Sequence, residues 1–443
     1  MNRSSGDVAG ETIAADPVGR SRELGDVSFG AVADVGEGAH VQWAAPDGLE
    51  LLGRGVAAAF TAAGGNRIED VRSAAAAFFD RLDHDGPPES RSRALGGLAF
   101  HADHGPTPPW TGFPAASFLV PRIQLTRTDR GTWLTAVGDG ERAATDLLAE
   151  WEERLERLAT MRPSGTKPGV ERSRRPTSRS AWRERVEHAL ARIADGDLEK
   201  VVLAQTLAVE LGEGIDVAAT VERLRRKYPG CYRFLIDPDA GGRTFFGAPP
   251  ERLVSMRGDR IETEALAGSV ARGESPEEDE ELADRMREDE KLEREHEVVV
   301  RAIQAQLSPI AADVSVGERT VRRLATIQHL RTPITARAGA ADHVLDVVGA
   351  LHPTPAVGGL PPDPAIETIR AVEGFDRGWY AAPIGWFDAE GDGEFAVGIR
   401  SGVASEREVT LFAGNGIVAD SDPDEEWAEI QLKFRPVLDE LER

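Results

Sequence analysis

Lysine is scarce in this chain: five residues, against forty-seven arginines. Cysteine is scarcer, with Cys231 alone, which excludes an internal disulfide and any cysteine-built metal cluster. No apolar run approaches the about 18–20 residues that a membrane helix needs. The polar, acidic start "MNRSSGDVAGETIAADP" carries no signal-peptide core. Positive charge is also short: 52 basic against 76 acidic residues leave a net charge of −24. Nucleic acid binding needs a basic stripe, so nucleic acid is not an expected partner. A soluble cytoplasmic protein that meets no membrane is expected. Many carboxylates with little lysine fit a halophile's cytoplasm, where they keep the surface solvated in concentrated salt. An acidic protein of a high-GC genome would show the same preference for arginine.

What is present is a globular pattern, with 41% hydrophobic residues over 443 positions. Residues 1–25 are small, polar and acidic and read as a disordered tail. Residues 26–161 form a mixed N-terminal α/β part, expected to add strands to the same sheet assembly as the rest of the chain. There "GVAAAFTAAGG" and "IEDVRSAAAAFFDRL" carry helical spacing, while "ALGGLAFHA", "ASFLVPRIQLTRT" and "GTWLTAV" read as strands. Residues 162–180, rich in Pro, Ser and Arg, read as a linker. Residues 181–443 are the most strongly patterned. Lys200 opens an apolar strand, "EKVVLAQT". "SPEEDEELADRMREDEKLEREHEVVVRAIQAQL" reads as one long helix capped by Ser275, with Pro276 and three acids in its first turn. "EFAVGIRSGV" and "EVTLFAGNG" read as strands, and "PDEEWAEIQLKFRPVLDELE" as a closing helix. Most connections are hairpin-like, so an α+β protein with largely antiparallel sheets is expected.

Several charged residues stand in unusual company. Glu295 has Leu292, Val298 and Val299 at helical spacing, so its carboxylate needs a cation, a metal or a proton. Glu426 and Glu429 share a helix face, which could equally be solvated, with Glu429 paired to Lys433. Glu251 opens a strand and could be a surface residue. Arg400 alternates with Ala396 and Gly398, small neighbours that leave a hollow for an anion; an inward arginine paired with a local acid reads the same way. His329 by itself is consistent with a structural histidine. The "GNG" of 414–416 would let a ligand approach the backbone. Lys200 shares a strand face with Val202, Ala204 and Thr206. Buried there, an amine loses its charge readily and can act as a general base; at a strand end it could instead reach solvent.

In order along the chain, "EKVVLAQT", "FFGAPPERLV", "ETEALAGS", "DEKLEREHEVVV", "IQHLRTPI", "LHPTPAVGGLP", "EGFDRGWYAAPIGWFDAEGDGEFAVGIRSG" and "GNGIVADSDPDEEWAEIQLK" resemble the chorismate-utilising enzymes. The resemblance covers residues 185–443, and more faintly 96–125. Lysine at position 200 is similar to the members that add water, where ammonia-using members carry glutamine. Ala356 in "LHPTPAVGG" is similar to isochorismate synthases, where anthranilate and salicylate synthases tend to carry threonine. Two positions depart from the pattern: Gln205 replaces an arginine and Asn415 replaces an alanine.

The resemblance implies two large, mostly antiparallel sheets packed face to face with flanking helices. It implies a Mg²⁺-dependent conversion of chorismate to isochorismate. Lys200 would be the general base that activates water and Glu251 the general acid at the departing hydroxyl. Glu295 and Glu429 would hold Mg²⁺, with Glu426 in its first or water-mediated shell. Arg400, Tyr380 and the backbone at Gly414 and Gly416 would bind a carboxylate of chorismate. Gly268, Ser269 and His329 would line the ring and metal side, beside Ala356. A monomer with no glutaminase subunit is expected, serving menaquinone synthesis or, second, a catechol siderophore. A salicylate synthase and a non-catalytic chorismate binder are the rival readings. The acidic composition leads to one prediction: the melting temperature should be higher in molar KCl than in dilute buffer, and a melting temperature that falls with salt would contradict a halophilic origin.

Overall fold

The computed structural model describes residues 15–25, 27–32, 38–46, 48–158, 165–238, 242–273, 275–323 and 327–443. Two sheets organise it. The larger runs in the order Val170–Arg174, Lys200–Leu211, Glu408–Ile417, Ser401–Ser405, Thr244–Gly247, Arg233–Asp237, His40–Ala44, Glu50–Arg54, Ile123–Thr128, Gly131–Asp139, Pro17–Leu24 and Asp83–Asp85. The short strand Gly359–Leu360 pairs with the Lys200 strand outside this path. The smaller runs Ala311–Val316, Ile327–Ala338, Arg260–Ala271, Arg252–Arg257, Gly393–Val397, Pro383–Phe387, Ala94–Leu98, Ala116–Val120 and Ala58–Ala62, with Thr320–Arg323 also paired to Ile327–Ala338. Among the described residues only Pro17–Leu24 with Asp83–Asp85 pairs in parallel. The antiparallel expectation therefore holds, and the physical reason is the hairpin connections.

Both sheets feed one continuous apolar core. Strand Lys200–Leu211 is buried on both faces over most of its length. Helix Arg179–Ala194 buries Trp182, Val186 and Ala189, and it packs against that strand and against Glu408–Ile417. Phe412 stacks with both Trp110 and Tyr380, ring centroids 5.2 Å apart in each case. This aromatic contact joins the N-terminal part to the C-terminal strands.

Several expectations need correction. Residues 17–24, read as part of a disordered tail, form a strand aligned along Gly131–Asp139 from Pro17 to Leu24. Residues 1–14 lie outside the described residues. Within the expected linker, Val170–Arg174 pairs with the Lys200 strand. The two halves of the chain share both sheets, as expected of one compact unit. The helical spacing of 55–65 is overruled: Ala58–Ala62 is a strand with alternating burial, paired to Ala116–Val120. Small alanines fit either period, and the neighbouring strand decides. The single long helix is two, Pro276–Glu288 and Glu290–Leu307. Asp289 between them is extended, and its carboxylate accepts from Leu292 N at 3.0 Å, so it caps the second helix. Ser275 caps the first, accepting from Glu278 N at 3.1 Å.

The most consequential correction concerns "EFAVGIRSGV". Gly393–Val397 belongs to the smaller sheet and Ser401–Ser405 to the larger. Arg400 sits at the crossover with φ +52°, not on a strand face. A second crossover joins Thr244–Gly247 of the larger sheet to Arg252–Arg257 of the smaller, and Glu251 lies on it. Each crossover carries its charged residue into the space between the sheets.

Near them, Arg377 is almost wholly buried and holds Glu373 through two bonds, Nε–Oε2 at 2.8 Å and Nη2–Oε1 at 2.6 Å. It also donates to Val202 O at 2.6 Å and to Val357 O at 2.8 Å, while Glu373 accepts from Ala204 N at 2.7 Å. This pair ties the segment around Tyr380 to the Lys200 strand. Removing one partner strands a buried charge. Arg377→Met is therefore expected to cost about 3–5 kcal/mol in urea unfolding, and a loss under about 1 kcal/mol, the range of exposed pairs, would show the pair to be dispensable.

Candidate active site

A cavity of about 420 Å³ opens where the two crossovers meet the ends of the strands. Its first wall is the Lys200 strand. Lys200 and Val202 line it, and across the ladder Val202 faces Gly416 and Ala204 faces Gly414. A Cβ at 416 would lie 2.7 Å from Lys200 Cε, and one at 414 would lie 3.0 Å from the Tyr380 hydroxyl. The two glycines of "GNG" thus make room for Lys200 and Tyr380, a tighter reason than open backbone for a ligand.

The second wall is helix Glu290–Leu307. Glu295 reaches the cavity from it, and its Oε1 lies 3.2 Å from Lys200 Nζ. Glu251 enters from its crossover and is buried. Burial, then the negative charge of Glu264, pushes its carboxyl up to about 8, against the pull of Lys200 and Arg322. Glu264 is itself fixed by Arg322 at 2.6 Å and Arg331 at 2.5 Å.

The third wall is helix Pro423–Leu438. Positions 426, 429 and 433 fall on one face, as helical spacing requires. Lys433 Nζ lies 2.8 Å from Glu429 Oε1 and donates to Gly414 O at 3.0 Å. Burial pulls its amine below the usual lysine range, and Glu429 opposes that. Glu426 accepts from Ser421 Oγ at 2.7 Å and from Asn415 Nδ2 at 3.0 Å. Burial is the main cause that raises its carboxyl above the usual range; the bond from Ser421 opposes it, and the Glu429 charge adds to it.

At the remaining side, Arg400 donates to Lys433 O at 3.2 Å, and burial lowers its pKa. The Tyr380 phenol is pushed up by burial. His329 is held neutral, pushed down to about 3 by burial and then by Arg400 and Lys433; its Nδ1 donates to Gly268 O at 3.3 Å. Gly268 sits at a bulge with φ +71°, between Ala267 and Ser269 in the register. Ala356 lines the same cavity.

Lys200, Glu251, Gly268, Glu295, His329 and Ala356 therefore meet Tyr380, Arg400, Gly414, Gly416, Glu426 and Glu429 in one place. Ser269 pairs with His329 through its backbone, and its side chain lies outside the described residues. Lys433 is the residue that the sequence reading passes over, treating it as the partner of Glu429 on a solvated face. The available signal was composition: two of the chain's five lysines line this cavity. Among the described residues, no three acidic or histidine side chains form a preassembled metal cage. The acids are engaged instead by Lys200, Lys433, Asn415 and Ser421.

The fold and this cavity belong to a known class: the chain is a member of the chorismate-binding enzyme family, whose model matches residues 23–442. Among its relatives is the "Salicylate biosynthesis isochorismate synthase" of Pseudomonas aeruginosa, 37% identical over 355 residues, covering 79% of this chain and 74% of that one. The "Isochorismate synthase MenF" of Bacillus subtilis is 34% identical over 358 residues, 78% of this chain and 74% of that one. The solved structure of MenF, the menaquinone-specific isochorismate synthase from Escherichia coli, matches with a TM-score of 0.81 at 27% identity. It covers 99% of this chain and 96% of that chain.

The close packing at Gly416 is directly testable. A methyl group there must displace Lys200, because the nearest atom would be closer than van der Waals contact allows. In a crystal structure of Gly416→Ala the Lys200–Glu295 contact is expected to be broken, with a stability loss under about 1 kcal/mol because the displaced atoms are the end of a flexible side chain. A contact kept at its present length would show that Lys200 has space to spare.

Proposed function

We propose that this chain is an isochorismate synthase, converting chorismate to isochorismate. The observation that carries this reading is that Lys200 and Glu251 face one cavity shared with Arg400 and the carboxylates of Glu295, Glu426 and Glu429. The names of the relatives above support it. Lys200 takes a proton from water, whose oxygen bonds to C2 of the ring. The ring double bonds shift and the C4–oxygen bond breaks. Glu251 supplies the proton with which that hydroxyl departs as water. One water enters and one leaves, so the reaction is an isomerisation with no electrons gained or lost. An acid with a pKa of about 8 is protonated at neutral pH, as this role requires.

The substrate is a dianion and the protein is strongly anionic, so binding needs a local positive site. Arg400 and Tyr380 receive one carboxylate. Glu295, Glu429 and Glu426 fit Mg²⁺, a hard cation that favours carboxylate oxygens and retains waters. Glu426 and Glu429 stand on one face of the last helix and both line the cavity, which puts carboxylate oxygens of the kind a hard cation takes side by side. Bound there, Mg²⁺ would supply positive charge for the second carboxylate of chorismate. Gly268 and His329 border the ring, His329 as a neutral imidazole. Ala356 leaves that side apolar.

Menaquinone synthesis is the destination favoured by the MenF relatives, and a siderophore or salicylate route is second. The acidic surface further supports work in a salt-rich cytoplasm, where salt screens repulsion of the substrate.

The test is incubation with chorismate and Mg²⁺ followed by separation of products. Isochorismate alone is expected. Pyruvate released without an added lyase would make the chain a salicylate synthase, and absence of turnover would make it a binder. The same assay gives a pH prediction. Glu251 donates only while protonated, so turnover should fall above pH about 8, about tenfold per unit. A rate still level well above that pH would remove Glu251 as the acid.

A further inference from the structure

Asn415 lies between the two cavity glycines, yet its own side chain is on the other face of strand Glu408–Ile417, opposite Leu203. From behind the cavity wall it reaches the helix that carries the acids. Its Nδ2 donates to Glu426 Oε2 at 3.0 Å and to the Glu426 backbone oxygen at 2.8 Å. Ser421 holds the other oxygen, Oε1, at 2.7 Å. Both oxygens of this carboxylate are therefore oriented by the chain itself.

The surroundings are unusual for a purely structural amide. Asn415 is 1% exposed, and its Oδ1 has no hydrogen-bond partner among the described residues. Gln205 pairs with Ala413, which makes it the diagonal cross-strand neighbour of Asn415 on the same face. It is fully buried, and neither end of its amide has a partner among the described residues. An apolar residue at either position would avoid the cost of burying unmatched polar atoms, about 1–3 kcal/mol for each. These are also the two positions at which the sequence departs from the pattern it resembles. A polar pair kept at such a cost, with Asn415 in contact with a cavity carboxylate, needs a compensating role.

We propose that Asn415 is a positioning residue that orients the Glu426 carboxylate for cation binding, with Gln205 as the polar neighbour behind it. This rests on the reading of Glu426 and Glu429 as cation-binding acids. Asn415 touches neither substrate nor cation; it acts through Glu426 alone. A rigidly held carboxylate loses less freedom when it takes a cation, and the amide keeps it from turning away toward other donors.

The experiment titrates Mn²⁺ into the full-length protein, with and without chorismate, and counts free Mn²⁺ by electron paramagnetic resonance. Wild type, Asn415→Ala, Glu426→Gln and the double variant are compared, and the melting temperature of each is recorded. Asn415→Ala is expected to bind Mn²⁺ about tenfold more weakly, the scale of one hydrogen bond to a charged group. In the Glu426→Gln background the same substitution should add nothing. Unchanged Mn²⁺ affinity in Asn415→Ala, whatever its melting temperature, would overturn the proposal, as would an equal loss in the Glu426→Gln background. Asn415→Leu, of similar size and without a donor, repeats the measurement if the alanine variant is poorly folded. A wild-type protein that takes up no Mn²⁺ under either condition would instead overturn the reading of the acids as a cation site, and the role of Asn415 with it.

Discussion

A charge taken out of water must find a partner or give up its charge, and this cavity is built around that constraint. Six ionisable groups from four separate stretches of chain meet between two sheets. Lys200 and Glu295 pair with each other, and so do Lys433 and Glu429. Glu426 is held by an amide and a hydroxyl. Glu251 takes the other route and keeps its proton to about pH 8, because burial and the charge of Glu264 disfavour its anion. The arrangement separates an amine paired with a carboxylate from a neutral acid in the same small volume. Proton transfer in two directions needs such a division.

The sheets create that volume through their connections. Where the chain passes from the larger sheet to the smaller at Glu251, and back again at Arg400, the backbone leaves the hydrogen-bonded ladder. Side chains there point between the sheets rather than along a strand face. Arg400 accepts a left-handed conformation to do so, which costs on the order of 1–3 kcal/mol and persists only where surrounding structure demands it. The Glu373–Arg377 pair and the stack of Trp110, Phe412 and Tyr380 supply that structure.

Much of the fold was legible. Lys200 announced itself as an apolar-strand lysine in a chain that avoids lysine, and Ser275 with Pro276 marked a helix start. The acids of the last helix could be placed on one face from spacing alone. The misreadings have local causes. The alanines of 58–62 satisfy helix and strand periods alike. Asp289 reads as one more acid in a charged helix until its carboxylate is seen to cap a new one. The strand at 17–24 is polar enough to pass for a tail, because its order comes from pairing with Gly131–Asp139 and Asp83–Asp85, which lie far along the chain.

Sequence by itself determined the hairpin-like connections that make these strands antiparallel, the identities of the charged side chains, and membership of the chorismate-binding enzyme family through motifs kept in order. Tertiary structure alone decided who meets whom. Lys200 and Glu295 are 95 positions apart, and Asn415 reaches Glu426 across a strand-to-helix turn. Lys433, which spacing assigned to an ordinary surface pair, joins the cavity because Gly414 offers it a carbonyl. Periodicity reports which face of an element is buried. It carries no information about which distant face it is buried against, and the chemistry of a site depends on that second fact.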